Sequence, residues 1–433
     1  LDLPRVRHGH GVHHLADAKQ LSAHLSTVNC TVRRLTAAFL ACVASAVSAG
    51  EPELVPRRLV PFQGQPVAEK LLTVSAEDEV SFVGGRRLKL DELVAWGAPA
   101  EPRAKIQLLL ADGGLLPLED DMMPVTEDDR LAAFSDTFGS VKLPLKRVAG
   151  VMLHSPIDPQ QRDELASRIL TPSTGEAAER QTENRDRLLL ENGDELKGRL
   201  VGFTENGVAF EAEVGHLSVE RERIVAVAFD PSLRGAPAAA RRTLVGFADG
   251  SLVSATSIKF ADGQAEMALG EGTLLSAVDA EPVFLQPLVG KVTYLSDMPP
   301  AGYRHVPYLA TSWDYRLDAN VRGTRLRAEG HLFAKGVGMH SASRLTWQLD
   351  KPYRRFEAEL AIDDETENGG SVVFRIFSGS REIYKSAVVH GGDKPLPVSI
   401  DIRDTRQLSL VVDYADRADV LDHADWLNAR LVP

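Results

Sequence analysis

The sequence is poor in cysteine: only Cys30 and Cys42 occur in 433 residues, and everything after Cys42 lacks a thiol. A disulfide framework, a cysteine-ligated zinc site and a cysteine nucleophile are therefore excluded from most of the chain. A basic surplus is also lacking. The formal net charge is -12 at pH 7, and no Lys/Arg-rich face stands out that could follow a phosphate backbone, so nucleic acid is excluded as a partner. Long hydrophobic runs are missing apart from one, "RRLTAAFLACVASAVSAG", which is too short for a stable transmembrane span.

That run has the order of an export signal. Arg33 and Arg34 form the basic start, Leu35 to Ala46 the apolar centre and Val47-Ser48-Ala49 a small-residue cleavage site, giving a mature start at Gly50. The expected location is periplasmic, cell-envelope or extracellular. A twin-arginine signal and a lipoprotein site at Cys42 are weaker fits, since the first lacks most of its motif and the second has Phe39 where an aliphatic residue is usual. Residues 1–31 contain "RHGHGVHH", which reads either as a metal tract or as sequence upstream of a GTG initiator at Val32.

What is present is a β pattern. "IQLLLADGGLLPLE", "DRLLLENGDELKGRLVGF" and "RRTLVGFADGSLVSATSIKF" each read strand, tight turn, strand, with Asp-Gly or Asn-Gly supplying the positive φ of a hairpin turn. Each is followed by an alternating strand and a terminal apolar strand. The pattern predicts three small antiparallel units over residues 50–160, 185–232 and 241–288, with the opening hairpin from Leu71 joining the first. "DPQQRDELASRIL" has helical spacing behind an Asp/Pro cap, and residues 161–184 are read as helix and linker. Asp112, Asp194 and Asp249 beside turn glycines are turn residues, and Trp96 is a core residue.

From about Leu288 the texture changes. "RLTWQL", "RFEAELAI", "SVVFRIFS", "REIYKSAVV", "LPVSIDI" and "QLSLVVDY" are six alternating segments at roughly ten-residue spacing, which argues for an antiparallel β-sandwich with function in the loops at one end. In the same region "YLSDM", "FAKGVGMHSASRLTWQL", "YRRFEAELAIDDE", "GSVVFRIF" and "LDHADWLNARL" resemble the NPCBM family, putative carbohydrate-binding modules related to family 51, in the expected order across 289–433. The resemblance implies a galactose-binding-like jelly roll, non-catalytic, binding galactose-containing glycans, with a structural calcium ion. "FSGSREIY" departs from it at Ser380, where an Asp-Gly turn is usual.

A pyranose offers a patch of C–H bonds and a ring of hydroxyls, so its site needs an aromatic face and in-plane polar groups. Trp313, His340, Asp364, Asp422 and His423 are the candidates, with Tyr315 and Asp425 nearby. Trp347 alternates with Leu345 and Leu349 and belongs to the core, as does Trp426. His340 follows "GVG" and is either a ligand contact or a loop brace. Asp413, Asp416, Asp419, Asp422 and Asp425 crowd thirteen residues, and Asp422 with Asp425 are the expected calcium ligands. A hydrolase would need two carboxylates across a cleft. Asp363-Asp364-Glu365 are consecutive and diverge in extended chain, so the protein is expected not to be an enzyme. The alternative reading is an envelope scaffold whose repeats contact other envelope proteins and whose C-terminal fold binds no sugar.

Overall fold

The computed structural model describes residues 56–171, 185–235, 242–270, 272–308 and 311–433. The expected export signal, the segment before it and most of the linker at 161–184 lie outside the described residues. Residues 56 to 433 form one compact unit. Among the described residues no helix is long and apolar enough to cross a membrane.

The chain is almost entirely β, as the alternation predicts. The amino-terminal part repeats one plan, in which the first strand of a unit pairs antiparallel with its last. Gln107–Leu110 pairs with Val148–Met152, Asp186–Leu190 with Ile224–Ala228, and Thr243–Phe247 with Pro282–Pro287. The opening segment follows the same plan, Arg57–Pro61 pairing with Leu93–Gly97. It is thus a unit of its own, and its ladder partner is the third predicted unit rather than the first, through Leu93–Gly97 on Pro282–Pro287. Further pairing of Val148–Met152 with Ile224–Ala228 and of Leu115–Pro117 with Leu252–Ala255 joins the units into one fourteen-stranded sheet among the described residues. No unit is large enough to bury a core alone, and a single apolar cluster from Leu59 to Leu285 runs through all four.

The helix Pro159–Leu170 starts where the cap signal places it, with the Asp158 carboxylate accepting from Gln161 N at 2.8 Å. Its Leu165 and Ile169 pack on the sheet. Asp112 and Asp249 accept from backbone amides two residues on, as turn residues do, and Trp96 is buried with its Nε1 donating to Glu69 O.

The carboxy-terminal part is a two-sheet sandwich. One sheet orders Arg316–Leu317, Gly336–His340, His423–Val432, Arg355–Ile362 and Leu396–Asp401. The other orders Gly302–His305, Ser343–Gln348, Gln407–Tyr414, Ser371–Ser378 and Arg381–Lys385. The six predicted segments all contribute strands. Trp347 and Trp426 are fully buried between the sheets, Trp426 edge-on to Phe374 at 4.9 Å.

The sandwich is fused to the repeats. Tyr294 is buried against Val94, its hydroxyl donating to Val94 O at 3.1 Å and accepting from Gln286 Nε2 at 2.9 Å. A second link is ionic: Arg325 and Arg327 of the sandwich bind Asp163 of the helix and Glu101. Arg327 reaches Glu101 Oε1 and Asp163 Oδ2, both at 2.7 Å, Arg325 reaches Asp163 Oδ1 at 2.8 Å, and Arg162 closes the lattice on Glu101.

Candidate functional site

Strand register gathers the candidate residues at one end of the sandwich. Gly336–His340 is a strand, not a glycine turn, and His340 is its last residue, directly opposite His423 at the start of the closing strand. The glycines are there for approach: a Cβ on Gly338 would sit 2.5 Å from Ala319 O, and one on Gly336 2.8 Å from Trp426 O.

Over this pair lies the loop that carries Trp313. Its indole stacks flat on the His340 imidazole, with centroids 4.8 Å apart and planes 2° apart, and leans on His423 at 5.5 Å. His340 is 3% exposed while Trp313 is half-buried, so the histidine forms the floor and the tryptophan the surface. His305 meets His340 edge-on at 5.9 Å, and its Nδ1 accepts from Trp313 N at 3.2 Å, tying the loop down. His423 is fixed by Glu365, Nδ1 to Oε1 at 2.5 Å.

The charges follow from burial. Desolvation and the neighbouring His423 lower His340 to about 4, so the ring under Trp313 is neutral at physiological pH. Burial raises Asp422 to about 6, against the opposing bond from Ser371 N at 2.9 Å. Asp419, partly exposed, acts electrostatically on His305, His340 and Asp422 and is the carboxylate of the rim. Backbone strain collects in the same loops: Ala342, Glu367, Arg417, Ala418 and Leu421 all have φ between 55° and 59° without being glycine.

Trp313, His340, His423 and Asp422 are therefore neighbours. Asp364 is not among them, because its carboxylate braces the turn at Glu329 and Gly330, accepting from their amides at 3.0 and 2.8 Å. Tyr315 packs on Tyr303 at 5.0 Å and belongs to the wall of the core. Three residues absent from the sequence-based set join the site: His305, Glu365 and Asp419. Nothing local in the sequence singles out Glu365, because its partner His423 is 58 positions away.

Asp422 and Asp425 do not fit as ligands of one ion. They are three residues apart where the strand begins, so they point to opposite faces, Asp422 toward Ser371 and Asp425 toward Asp363. Asp425 is fully buried, and desolvation together with the Asp363 charge holds its carboxyl well above the ordinary range. The Asp363 oxygens accept from Asn320 Nδ2, Glu365 N and Arg327 N, and no hydrogen-bond partner reaches either Asp425 oxygen among the described residues. Among the described residues no group of three or more His, Cys, Asp or Glu side chains is placed to hold a metal.

Residues 291–432 match the NPCBM/NEW2 domain. The C-terminal sandwich is an NPCBM domain. The alpha-1,3-galactosidase B of Akkermansia muciniphila is 32% identical over 117 residues, which is 26% of this chain and 15% of that protein, so the chain spans a small part of its curated relative. Among solved structures, the CBM51 module of Clostridium perfringens GH95 in complex with methyl-galactose is 23% identical, covering 33% of this chain and 99% of that one at a TM-score of 0.30. The CBM51-2 and INT domains of Clostridium perfringens ZmpB, in complex with GlcNAc, are 23% identical, covering 41% and 37% at 0.30. The two NPCBM strands that end at His340 and begin at His423 thus carry the candidate site.

Proposed function

We propose that the chain is an exported, non-catalytic carbohydrate-binding protein whose NPCBM domain takes a galactose-type pyranose at the Trp313 end. The observation that carries the reading is the half-exposed Trp313 held flat on buried His340. One indole face is committed to the histidine, and the opposite face is a rigid apolar platform for the C–H patch of a sugar. Asp419 supplies an acceptor for hydroxyls at its edge, and the His423–Glu365 pair fixes the polar wall behind it. The galactoside class follows the resemblance and accords with the galactosidase relative.

The absence of catalysis is supported by how the carboxyls are used. Asp363 accepts from backbone and Asn320, Asp364 caps a turn and Glu365 holds His423, so none of the three faces another across an open cleft. Export rests on the amino-terminal signal pattern alone.

Titration of the full chain with methyl β-galactoside tests the reading. Trp313→Ala is expected to weaken binding at least about tenfold with little change in melting, because the side chain lies at the surface. His340→Ala removes the floor and is expected to weaken binding too. Unchanged affinity in a folded Trp313→Ala variant would sink the assignment.

A further inference from the structure

The loop end carries several exposed apolar side chains besides Trp313. Val306, Tyr308, Val388, Tyr414, Val420 and Leu421 are each 40 to 59% exposed, and strand register puts all six at the end that holds Trp313. Scattered exposed residues need no explanation, but a group gathered at one rim and including a touching aromatic pair marks an interaction surface.

Two of them are aromatic and face one another. The Tyr308 and Tyr414 rings stand edge-on with centroids 6.1 Å apart, 57% and 48% exposed. Chain geometry keeps them close to the Trp313 platform. Val306 N bonds Ala342 O at 3.0 Å and Trp313 N bonds His305 Nδ1 at 3.2 Å, so both ends of the loop are pinned beside His305. Tyr308 is two residues beyond the first pin, at most about 7 Å of chain. Tyr414 ends the strand that leads into the strained loop bearing Asp419. Beside it, exposed His390 and Asp416 lie 3.4 Å apart and offer a donor and an acceptor to hydroxyls.

We infer that Tyr308 and Tyr414 form a second subsite, and that the ligand is an oligosaccharide of at least two rings rather than a single galactose. The inference rests on the reading of the Trp313 end as a sugar site. Its occupant is the ring linked to the one on Trp313, because the tyrosines stand at the same end of the sandwich, within a short reach of chain from His305, and present the same aromatic and hydroxyl-binding chemistry.

The test is titration of the full chain with methyl β-galactoside and with three disaccharides: lactose, N-acetyllactosamine and galactosyl-α-1,3-galactose. At least one disaccharide should bind roughly three- to tenfold tighter than the methyl glycoside. Tyr308→Ala and Tyr414→Ala should each reduce that gain and leave methyl β-galactoside affinity unchanged, while the Phe variants keep it. Equal affinity for all four ligands would overturn the second subsite, as would a gain that survives the Tyr308→Ala/Tyr414→Ala double variant. The latter is what a protein-docking rim would give. Loss of the monosaccharide in Trp313→Ala alongside equal affinities would leave the primary site standing, whereas a wild type that binds none of the four removes both.

Discussion

Removing the Arg327 side chain tests whether the NPCBM domain and the repeats are one folding unit. Arg327 holds Glu101 and Asp163 at once, and only 13% of its side chain is exposed. Burial alone would raise the Asp163 carboxyl, yet Arg325 and Arg327 together hold it below its ordinary range. Breaking a fully buried ion pair costs about 3 to 5 kcal/mol, because it strands the remaining charge. Here Arg325 still covers Asp163, and Glu101 is one-third exposed and partly solvated. The expected loss for Arg327→Ala is therefore about 2 to 3 kcal/mol, read from urea unfolding of the full chain as a lower midpoint with one cooperative transition. A double-mutant cycle with Asp163→Ala should show coupling above ~0.5 kcal/mol. Moderate salt should change the loss little, since the pair is shielded from solvent ions. A loss below ~0.5 kcal/mol, or two separate transitions in the wild type, would refute the idea that this lattice welds the parts together.

Two other outcomes follow from the same packing. Asp422 is raised from 3.8 to about 6, so its protonated form favours folding by about 3 kcal/mol; that contribution is complete below pH 4 and is lost as pH rises through 6. Asp422→Asn should gain stability over the wild type between pH 4 and pH 7.5, and parallel urea midpoints across that range would contradict it. Residues 289–433 alone should keep their β structure but unfold at lower urea than the intact chain, and their Tyr294 phenol, pushed up to about 12 by burial, should titrate nearer 10 once Val94 and Gln286 are gone. An ultraviolet pH titration that still finds a phenol near 12 attributable to Tyr294 would show that the repeats are not what buries it.

The sandwich was legible because its strands bury one face. In "RLTWQL" the residues Leu345 and Trp347 alternate with Arg344 and Thr346, and that period of two places Trp347 in the core without any long-range information. The closeness of His340 and His423 was legible only through the family motifs, and Trp313 only as an aromatic in an irregular segment, because the loops that bring them together have no period. Asp364 was misjudged for a local reason. It sits in the short 3-10 turn Asp364–Thr366, where successive side chains splay, and its oxygens meet the Glu329 and Gly330 amides rather than the rim.

What joins the parts has no local signature at all. Arg325 meets Asp163 across 162 positions and Arg327 meets Glu101 across 226, and each residue alone reads as an ordinary surface charge. The opening unit was hidden for a related reason: its turns use Asp78 at φ 61° and the pair Gly84-Gly85 in place of an Asp-Gly signal. The lattice also bears on the site. Arg327 donates its backbone amide to Asp363 at 2.9 Å, and Asp363 N bonds His423 O at 2.9 Å. The strand end that positions His423 under Trp313 is thereby fastened to the arginines that grip the repeats, so the repeats buttress the proposed site.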